Sequence, residues 1–214
     1  QIEKFGQHFF KEGSKVIPGN IGYSQLYFCV QLNNNFQGIP IEEYTDQLVG
    51  TTITGKNSGV KAVVDKVLKA ADSEKGNTTL YINYLNSSTT NNSTQTFSDG
   101  EELSCDTTIT SGLLGNNSIA PGDSFAVTFA TAAAQTGSSF QIQDGIYFIR
   151  GNFVNVATET LILDQYGTTP SYRVGLFVNE QIINADLDES LNDNSQGYNN
   201  FSAPGADRLK ITVN

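Results

Sequence analysis

Short runs in which apolar and polar residues alternate recur along most of this chain. The clearest runs cover residues 25–32, 79–85, 172–183 and 209–213, and Gly, Asn and Pro are frequent in the stretches between them. Alternation with a period of two places side chains on opposite faces of a strand, and Val, Ile, Thr, Tyr and Phe suit the pleated surface of a sheet. The pattern therefore predicts an all-β, β-sandwich-like fold with few or no helices.

The most compact group of predicted strands lies within residues 48–105. Its strands and turns follow one another as a strand over 48–55, a turn over 56–59, strands over 60–67 and 79–85, and a final turn at Asp99-Gly100. Four or five short strands in so short a stretch are typical of a small β-barrel. We predict an inserted barrel-like domain at 48–105, set into a two-part β-rich domain made of 1–47 and 106–214. Residues 124–134 fit either a strand or a short Ala-rich helix.

The charge balance argues against two classes of partner. The chain has 214 residues, with 12 Lys and Arg against 22 Asp and Glu, for a net charge of -10. Because no basic block is present, neither nucleic acid nor an anionic membrane surface is expected as the main partner. No apolar run approaches the roughly 20 residues that span a bilayer, so we expect no membrane insertion. The sequence has no Met, which leads us to expect a piece of a longer protein.

Cysteine and histidine are too scarce for an ordinary zinc site, at 2 and 1 residues. Cys29 lies in an apolar run and is expected to be a buried thiol, while a disulfide with Cys105 stays open. Nucleophilic catalysis would have to use His8, the one histidine, and no Gly-x-Ser-x-Gly elbow occurs. A structural or exposed His8, in a strand that includes Phe9 and Phe10, is the favoured interpretation.

Several carboxylates stand beside predicted strands, where a glycosidase pair could sit. They are Glu101, Glu102, Asp144 and Asp164. An Asp before Gly commonly forms a turn, which explains Asp99 and Asp144 without catalysis. The acidic loop 186–194 offers oxygen ligands for Ca²⁺ but lacks the EF-hand spacing, so a solvated loop is favoured. We therefore predict a non-enzymatic chain with no catalytic residue, no cofactor and no metal.

Two arginines are expected to organise the architecture. Arg150 and Arg208 lie within or beside apolar segments of a chain that has few arginines. A partly buried guanidinium needs a carboxylate or several carbonyls as partners, and Asp164 and Asp207 are the natural candidates.

The polar loop 184–207 holds the candidate interface residues Tyr198, Asn200 and Phe201. Aromatic side chains in polar loops are frequent anchors of protein interfaces. The polar tip over 86–95 is a second candidate contact element. Packing of these aromatics onto their own domain is the alternative that the sequence leaves open.

A series of short motifs in the last third of the chain carries a family resemblance. In order they are Gln143-Asp144-Gly145-Ile146-Tyr147-Phe148-Ile149-Arg150-Gly151, Leu161-Ile162-Leu163-Asp164-Gln165-Tyr166-Gly167, Pro170-Ser171-Tyr172-Arg173-Val174-Gly175-Leu176 and Ala203-Pro204-Gly205-Ala206-Asp207-Arg208-Leu209. This order, over 143–211, resembles a domain of uncharacterised function in virion structural proteins of tailed phages, especially contractile-tailed phages of cyanobacteria. The start of the chain, with Val16-Ile17-Pro18-Gly19-Asn20, is similar too. Asn194-Ser195-Gln196-Gly197 departs slightly, since Asn-Ala-Gln-Gly is more usual there.

The resemblance implies a virion component of the tail baseplate or of the tail-fibre attachment network. Its partners would be other tail and baseplate proteins, and a homo-oligomer, with a trimer favoured, would be expected. No catalytic residues come with the family. Two alternatives remain open: a receptor-binding adhesin that binds host surface polysaccharide through Tyr and amide side chains, and, less favoured, a depolymerase.

Overall fold

The structure is a computed structural model that describes residues 2–86, 93–111 and 118–213. Strands make up 45% of the chain and helices 8%, which confirms the all-β class. The described residues hold one α-helix, α1 (Ile2–Phe9), and short 3-10 helices at Ile41–Glu43, Thr45–Leu48 and Glu189–Leu191. Within the described residues no helix is long and apolar enough to cross a membrane.

The strands are numbered in chain order. The first nine are β1 (Lys15–Ile17), β2 (Ile21–Gln31), β3 (Asn35–Phe36), β4 (Ile39–Pro40), β5 (Thr52–Gly55), β6 (Lys61–Leu68), β7 (Thr79–Asn86), β8 (Glu102–Cys105) and β9 (Ile109–Thr110). The remaining eight are β10 (Ser118–Ile119), β11 (Ser124–Val127), β12 (Ala134–Ile142), β13 (Gly145–Ile149), β14 (Asn152–Val156), β15 (Glu159–Ile162), β16 (Val178–Ile183) and β17 (Arg208–Val213).

The largest sheet has eight strands in the order β11-β8-β5-β6-β7-β2-β12-β15 and is not closed into a barrel. The closed barrel expected within 48–105 is therefore not formed by this sheet. The reason is that β7 and β8, the outer strands of that segment, pair with β2 and β11 instead of with each other. The remaining sheets are small, with orders β1-β13-β14, β16-β17, β9-β10 and β3-β4.

The chain divides into two compact units. The sheet unit comprises residues 23–140 and 161–171, and the flank unit comprises 1–22, 141–160 and 172–214. The division predicted from the sequence, at 1–47 with 106–214 and 48–105, stays a prediction.

Alternation along β2 and β7 gives the sheet two buried faces. Val30, Leu80 and Ile82 point into the main core, which also contains Tyr44 and Phe125. Their strand neighbours point to the opposite face, where Tyr27, Cys29 and Tyr81 form a second cluster. Burial on both faces removes a large apolar area from water. Residues of the sheet unit itself cover both faces of the sheet.

The flank unit is built around the hairpin β13–β14. The two central residues of its turn, Arg150 and Gly151, both have positive φ values, 47° and 82°, as a type I′ turn requires. On one face of the hairpin the rings of Phe10, Phe148 and Phe153 pack together at centroid distances of 5.4 to 5.9 Å. Helix α1 packs against the same face. Its Gly6 lies so close to the Phe148 ring that a Cβ there would come within 2.4 Å of it.

Three further expectations fail or fall outside the structure. His8 and Phe9 end helix α1, so the predicted strand over 8–10 is wrong there. The long strand predicted over 172–183 begins only at Val178. Residues 87–92 of the predicted tip at 86–95 lie outside the described residues.

Candidate functional site

The loop that carries the predicted interface residues has a hydrogen-bonded base. Asp193 N–H donates to the carbonyl of Ala203 at 2.9 Å, and Ser202 N–H donates to the carbonyl of Asp193 at 2.9 Å. Gly205 N–H donates to the carbonyl of Leu191 at 3.0 Å. These bonds join the outgoing and returning chains like a short antiparallel ladder, so the loop has fixed ends.

Gly205 is needed for this closure. A Cβ at that position would lie 2.2 Å from the Leu191 carbonyl oxygen, far inside van der Waals contact. Leu191 is the buried apolar anchor of the segment and cannot retreat without losing that burial. The Ala203-Pro204-Gly205 motif therefore has a structural explanation, which is the close approach of two backbones at the loop base.

The tip of the loop, residues 194–202, is ordered by consecutive turns. Tyr198 N–H donates to the Ser195 carbonyl at 3.2 Å, and Phe201 N–H donates to the Tyr198 carbonyl at 3.1 Å. Asp193 accepts hydrogen bonds from the hydroxyl and the N–H of Ser195, and these bonds lower the pKa of the Asp193 carboxyl below its ordinary value. The tip is thus pre-ordered by its own backbone.

The structure places all three candidate interface residues at the surface of this tip. The Tyr198 side chain is 76% exposed and Phe201 is 49% exposed, with Asn200 exposed between them. The sequence from Asn194 to Ala206 contains no charged residue. Neither Tyr198 nor Phe201 is buried within the flank unit. Their contact with a partner stays a prediction.

A groove of about 400 Å³ lies elsewhere in the flank unit, beside β14 and β17. Its lining is uncharged and consists of Asn152, Phe153, Val154, Asn155, Leu209 and Ile211. Leu209 and Ile211 alternate along β17 and therefore share a face of the strand, whereas 152–155 are consecutive. Sequence reasoning did not find this groove.

The backbone of β14 turns an open edge outward. Phe148 N–H donates to Ser14 and its carbonyl accepts from Gly13, both at 2.9 Å, so the polar groups of Phe148 face β1. Phe148 lies opposite Phe153 in the β13–β14 ladder. Opposed residues of an antiparallel pair turn their polar groups the same way relative to the pair, either both inward or both outward. The N–H and carbonyl of Phe153 therefore point away from β13, at the sheet edge.

Arg150 has a different partner from the one expected. Its guanidinium Nη1 lies 2.7 Å from Glu180 Oε2 on β16, rather than against Asp164 or Asp207. Its own N–H donates to Glu12. Both Arg150 and Arg208 are exposed, so their predicted partial burial is wrong: Arg150 sits in the hairpin turn, and Arg208 begins the exposed half of β17.

Glu101, one of the carboxylates considered for hydrolysis, accepts several hydrogen bonds. Glu101 is fully buried, and its two oxygens accept from the N–H groups of Asn57, Ser58 and Ser98 and from the Ser58 hydroxyl, at 2.6 to 3.0 Å. Glu101 thereby ties the β5–β6 turn to the turn that precedes β8.

Two aspartates cap turns in a similar way. Asp144 accepts from the N–H and hydroxyl of Thr158, which lowers the pKa of its carboxyl. Asp99 accepts from the N–H groups of Ala132 and Ala133 at 2.9 and 2.8 Å. The interpretation of both residues as turn formers is consistent with these contacts.

The acidic loop also uses its oxygens internally. Asp188 caps the 3-10 helix at 189–191 by accepting from Ser190, and this bond lowers the pKa of the Asp188 carboxyl. Among the residues the structure describes, no group of three or more His, Cys, Asp or Glu side chains is placed to hold a metal ion. His8 is exposed on α1 with its ring against Phe9.

Both cysteines are buried free thiols, so no disulfide joins them. Burial raises the pKa of the Cys29 thiol to about 12, which keeps it protonated and unreactive at neutral pH. Tyr81 donates to the Gln165 carbonyl at 3.0 Å beside it, and Lys75 lies 4.2 Å from the centroid of the Tyr166 ring. Gln165 and Tyr166 therefore cover the second buried face of the sheet.

Comparison with known proteins supplies one match. The comparison with curated proteins found no match, and the comparison with solved structures found none either. A family model matches residues 95–214, which is more than half of the chain and includes the loop, its tip, the groove and the Gln165-Tyr166 motif. The chain therefore belongs to the family described as Domain of unknown function (DUF4815).

Proposed function

We propose that this chain is a structural component of a phage tail, in the baseplate or the tail-fibre attachment network, and that it acts by binding other protein chains. The observation that carries the proposal is the uneven distribution of apolar surface. Among the described residues, thirteen of the eighteen exposed large apolar side chains belong to the flank unit, although it is the smaller unit.

Residues 172–213 show this most clearly. Leu191 is the one buried apolar residue among them, while Phe177 is 69% exposed and Ile182 is 58% exposed. Their regular structure is the two-stranded ribbon β16–β17, and an isolated two-stranded ribbon is marginally stable in water. A segment of this kind gains stability when another chain covers it.

The summed exposed apolar area of the flank unit is comparable with one side of a protein interface. Taken together, the exposed apolar side chains of the flank unit offer on the order of 1,000 Å². A standard protein interface buries about 800 Å² on each partner. Scattered single apolar residues need no explanation, but this accumulation in one unit favours protein–protein assembly.

The phage-tail assignment rests on the family resemblance of 143–211. The low fraction of charged residues, 16%, and the abundance of Thr, Asn and Ser fit a particle protein built from β-ladders. A homotrimer is the favoured oligomer, and the tail of the virion is the proposed location.

Immunogold electron microscopy of purified particles tests this function. An antibody against the sheet unit should label particles at the tail end, because that unit contributes least to the proposed contacts. Particles from the encoding genome that contain no trace of the chain, by both labelling and mass spectrometry, would refute it.

One observation favours a second function, the binding of host surface polysaccharide by an adhesin. The tip presents Tyr198 among amide side chains and is free of charge, which suits stacking on neutral sugar rings. A glycan array should then give hits that Tyr198→Ala removes and Tyr23→Ala retains. An array without hits would eliminate the adhesin.

A further inference from the structure

The flank unit presents an exposed aromatic tip and an uncharged groove, and none of the residues that the structure describes fills the groove. We propose that the tip of one copy, led by Tyr198, inserts into the groove of a second copy of this chain. The inference rests on the proposed assembly function and names its partner. It makes the tip and the groove the two halves of one contact.

For a second copy, charge favours the tip as the part that enters the groove. Each chain carries a net charge of -10, so two copies repel each other over most of their surfaces. The tip has no charged residue from Asn194 to Ala206, and the groove lining has none either. In the turn between β13 and β14, Arg150 forms an ion pair with Glu180 at 2.7 Å. Contact between tip and groove therefore escapes the repulsion that opposes contacts elsewhere.

The groove also fits an aromatic side chain chemically. Phe153, Leu209 and Ile211 supply apolar walls, while Asn152 and Asn155 supply amide groups that can bond a phenol hydroxyl. The outward N–H and carbonyl of Phe153 offer a further donor and acceptor for the tip backbone. The volume of about 400 Å³ exceeds the roughly 300 Å³ at which ligand pockets begin.

Because the tip is ordered before binding, its insertion costs little conformational entropy. The turns at Ser195–Tyr198 and Tyr198–Phe201 hold the tip before binding, and the base at Leu191–Gly205 is closed. Tyrosine also loses few rotamers when it is immobilised. Because little ordering remains to be done on association, a small contact can suffice.

The contact is heterologous, since it joins different surfaces on the two copies. Each copy offers one free tip and one free groove, so addition continues until a ring closes. A three-membered ring is the closed form that agrees with the favoured trimer.

Sedimentation velocity over a concentration series tests the contact. The unmodified chain should self-associate with a Kd on the order of 10 µM. Tyr198→Ala should weaken association at least about tenfold, as loss of a central aromatic anchor does. Tyr23→Ala is the matched control, because Tyr23 is 52% exposed but lies outside the flank unit, and it should leave association unchanged.

The groove is blocked from the other side by Leu209→Arg, which should weaken association by a similar factor. Leu187→Arg is its control, since Leu187 is 62% exposed against 52% for Leu209 and lies outside the groove. Asn155→Arg provides a second block at an exposed position should the first variant disturb β17. Circular dichroism of every variant verifies the fold.

Mixing gives the sharpest result. Tyr198→Ala retains its groove and Leu209→Arg retains its tip, so a 1:1 mixture should form heterodimers and stop there. The unmodified chain should proceed beyond the dimer.

Three outcomes would overturn the proposal: an unmodified chain that stays monomeric at about 300 µM, a Tyr198→Ala variant that associates normally, or a mixture that forms no heterodimer. A chain found in tail particles but monomeric by itself would refute this contact while leaving the assembly function intact. If such a monomer binds glycans through Tyr198, the tip is a polysaccharide-binding site instead.

Discussion

The sheet unit and the flank unit use the same residue types in opposite ways. Among the described residues, twenty-one of the twenty-eight buried apolar side chains belong to the sheet unit and seven to the flank unit, while exposed apolar side chains show the reverse bias. The sheet unit buries apolar side chains on both faces of its sheet. The flank unit leaves its ribbon and loop uncovered. The sheet unit buries most of its large apolar side chains within itself. The flank unit leaves most of its own exposed, as a surface that assembly would cover.

The largest test of this difference is truncation of a matched pair of phenylalanines. Phe125 is fully buried in the core of the sheet unit, so Phe125→Ala should cost about 3–5 kcal/mol of unfolding free energy. Phe177→Ala, at an exposed ring of the flank unit, should change it by less than about 0.5 kcal/mol in the monomer. Urea unfolding at low protein concentration measures both, and equal costs would erase the distinction between the units.

Next in size is the loss of the buried carboxylate in the sheet unit. Glu101→Gln replaces one acceptor oxygen by an NH₂ group, which faces either the N–H donors of Asn57 and Ser58 or that of Ser98, so we expect a loss of about 2–3 kcal/mol. The adjacent Glu102→Gln is the control, because Glu102 is exposed and accepts from the Ser124 hydroxyl, and it should cost less than about 0.5 kcal/mol. Similar denaturation midpoints for the two variants would contradict the structural role of Glu101.

High pH should destabilise the sheet unit. Burial raises the pKa of Tyr44 and Tyr84 from 10.0 to about 12 and that of Cys29 from 9.0 to about 12. Because the unfolded chain releases these protons at lower pH, this stability is complete below pH 9 and is lost as the pH rises towards 12. Urea midpoints measured from pH 7 to 12 should fall across that window, and a flat profile would contradict burial of the three groups.

A smaller effect is expected at the loop base of the flank unit. Gly205→Ala should open the 191–205 closure and speed amide exchange in the loop about tenfold, equivalent to ~1.4 kcal/mol locally. Gly175→Ala is the matched control, since a Cβ there meets no atom within 4 Å. Exchange measured by mass spectrometry should leave sheet-unit peptides unchanged in both variants. Unchanged loop exchange in Gly205→Ala would refute the closure.

The smallest effect is at low pH and has the opposite sign. Hydrogen bonds lower the pKa values of Asp188 and Asp193 below 3.8, so their contribution is present above that pH and is lost as the pH falls further. Asp188 is exposed and Asp193 is half-buried, and both act within the loop, so a local loosening of the loop is expected rather than unfolding. Amide exchange of peptides from 184–207, compared at pH 5 and pH 3 after correction for intrinsic rates, should show it.

Part of the sheet unit could be predicted from its sequence, because apolar and polar positions alternate along β2 and β7. Residues 79–85 were predicted as a strand, and Leu80, Tyr81 and Ile82 indeed face alternate sides. The predicted closure of 48–105 into a barrel was wrong, because β7 pairs with β2 and β8 with β11, and these partners lie outside the segment. Helix α1 was missed because His8-Phe9-Phe10 resembles a strand when considered without the rest of the helix.

The candidate site was predicted in part. Aromatic residues in a polar loop marked Tyr198 and Phe201 as candidates, and the structure exposes both. The groove could not be predicted because it joins β14 to β17, more than fifty positions apart. Pairing of Arg150 with Glu180 was missed for the same reason, since an exposed turn residue can reach any carboxylate that the fold brings near.

Hydrogen exchange of the whole chain at two concentrations tests the central claim most directly. Dilute and concentrated samples of the unmodified chain should differ in the flank unit, with added protection at 152–155, 194–202 and 208–213. Peptides of the sheet unit should exchange equally in both samples. Protection gained in the sheet unit, or no change anywhere up to the highest concentration, would contradict the claim that the flank unit is the surface through which this chain assembles.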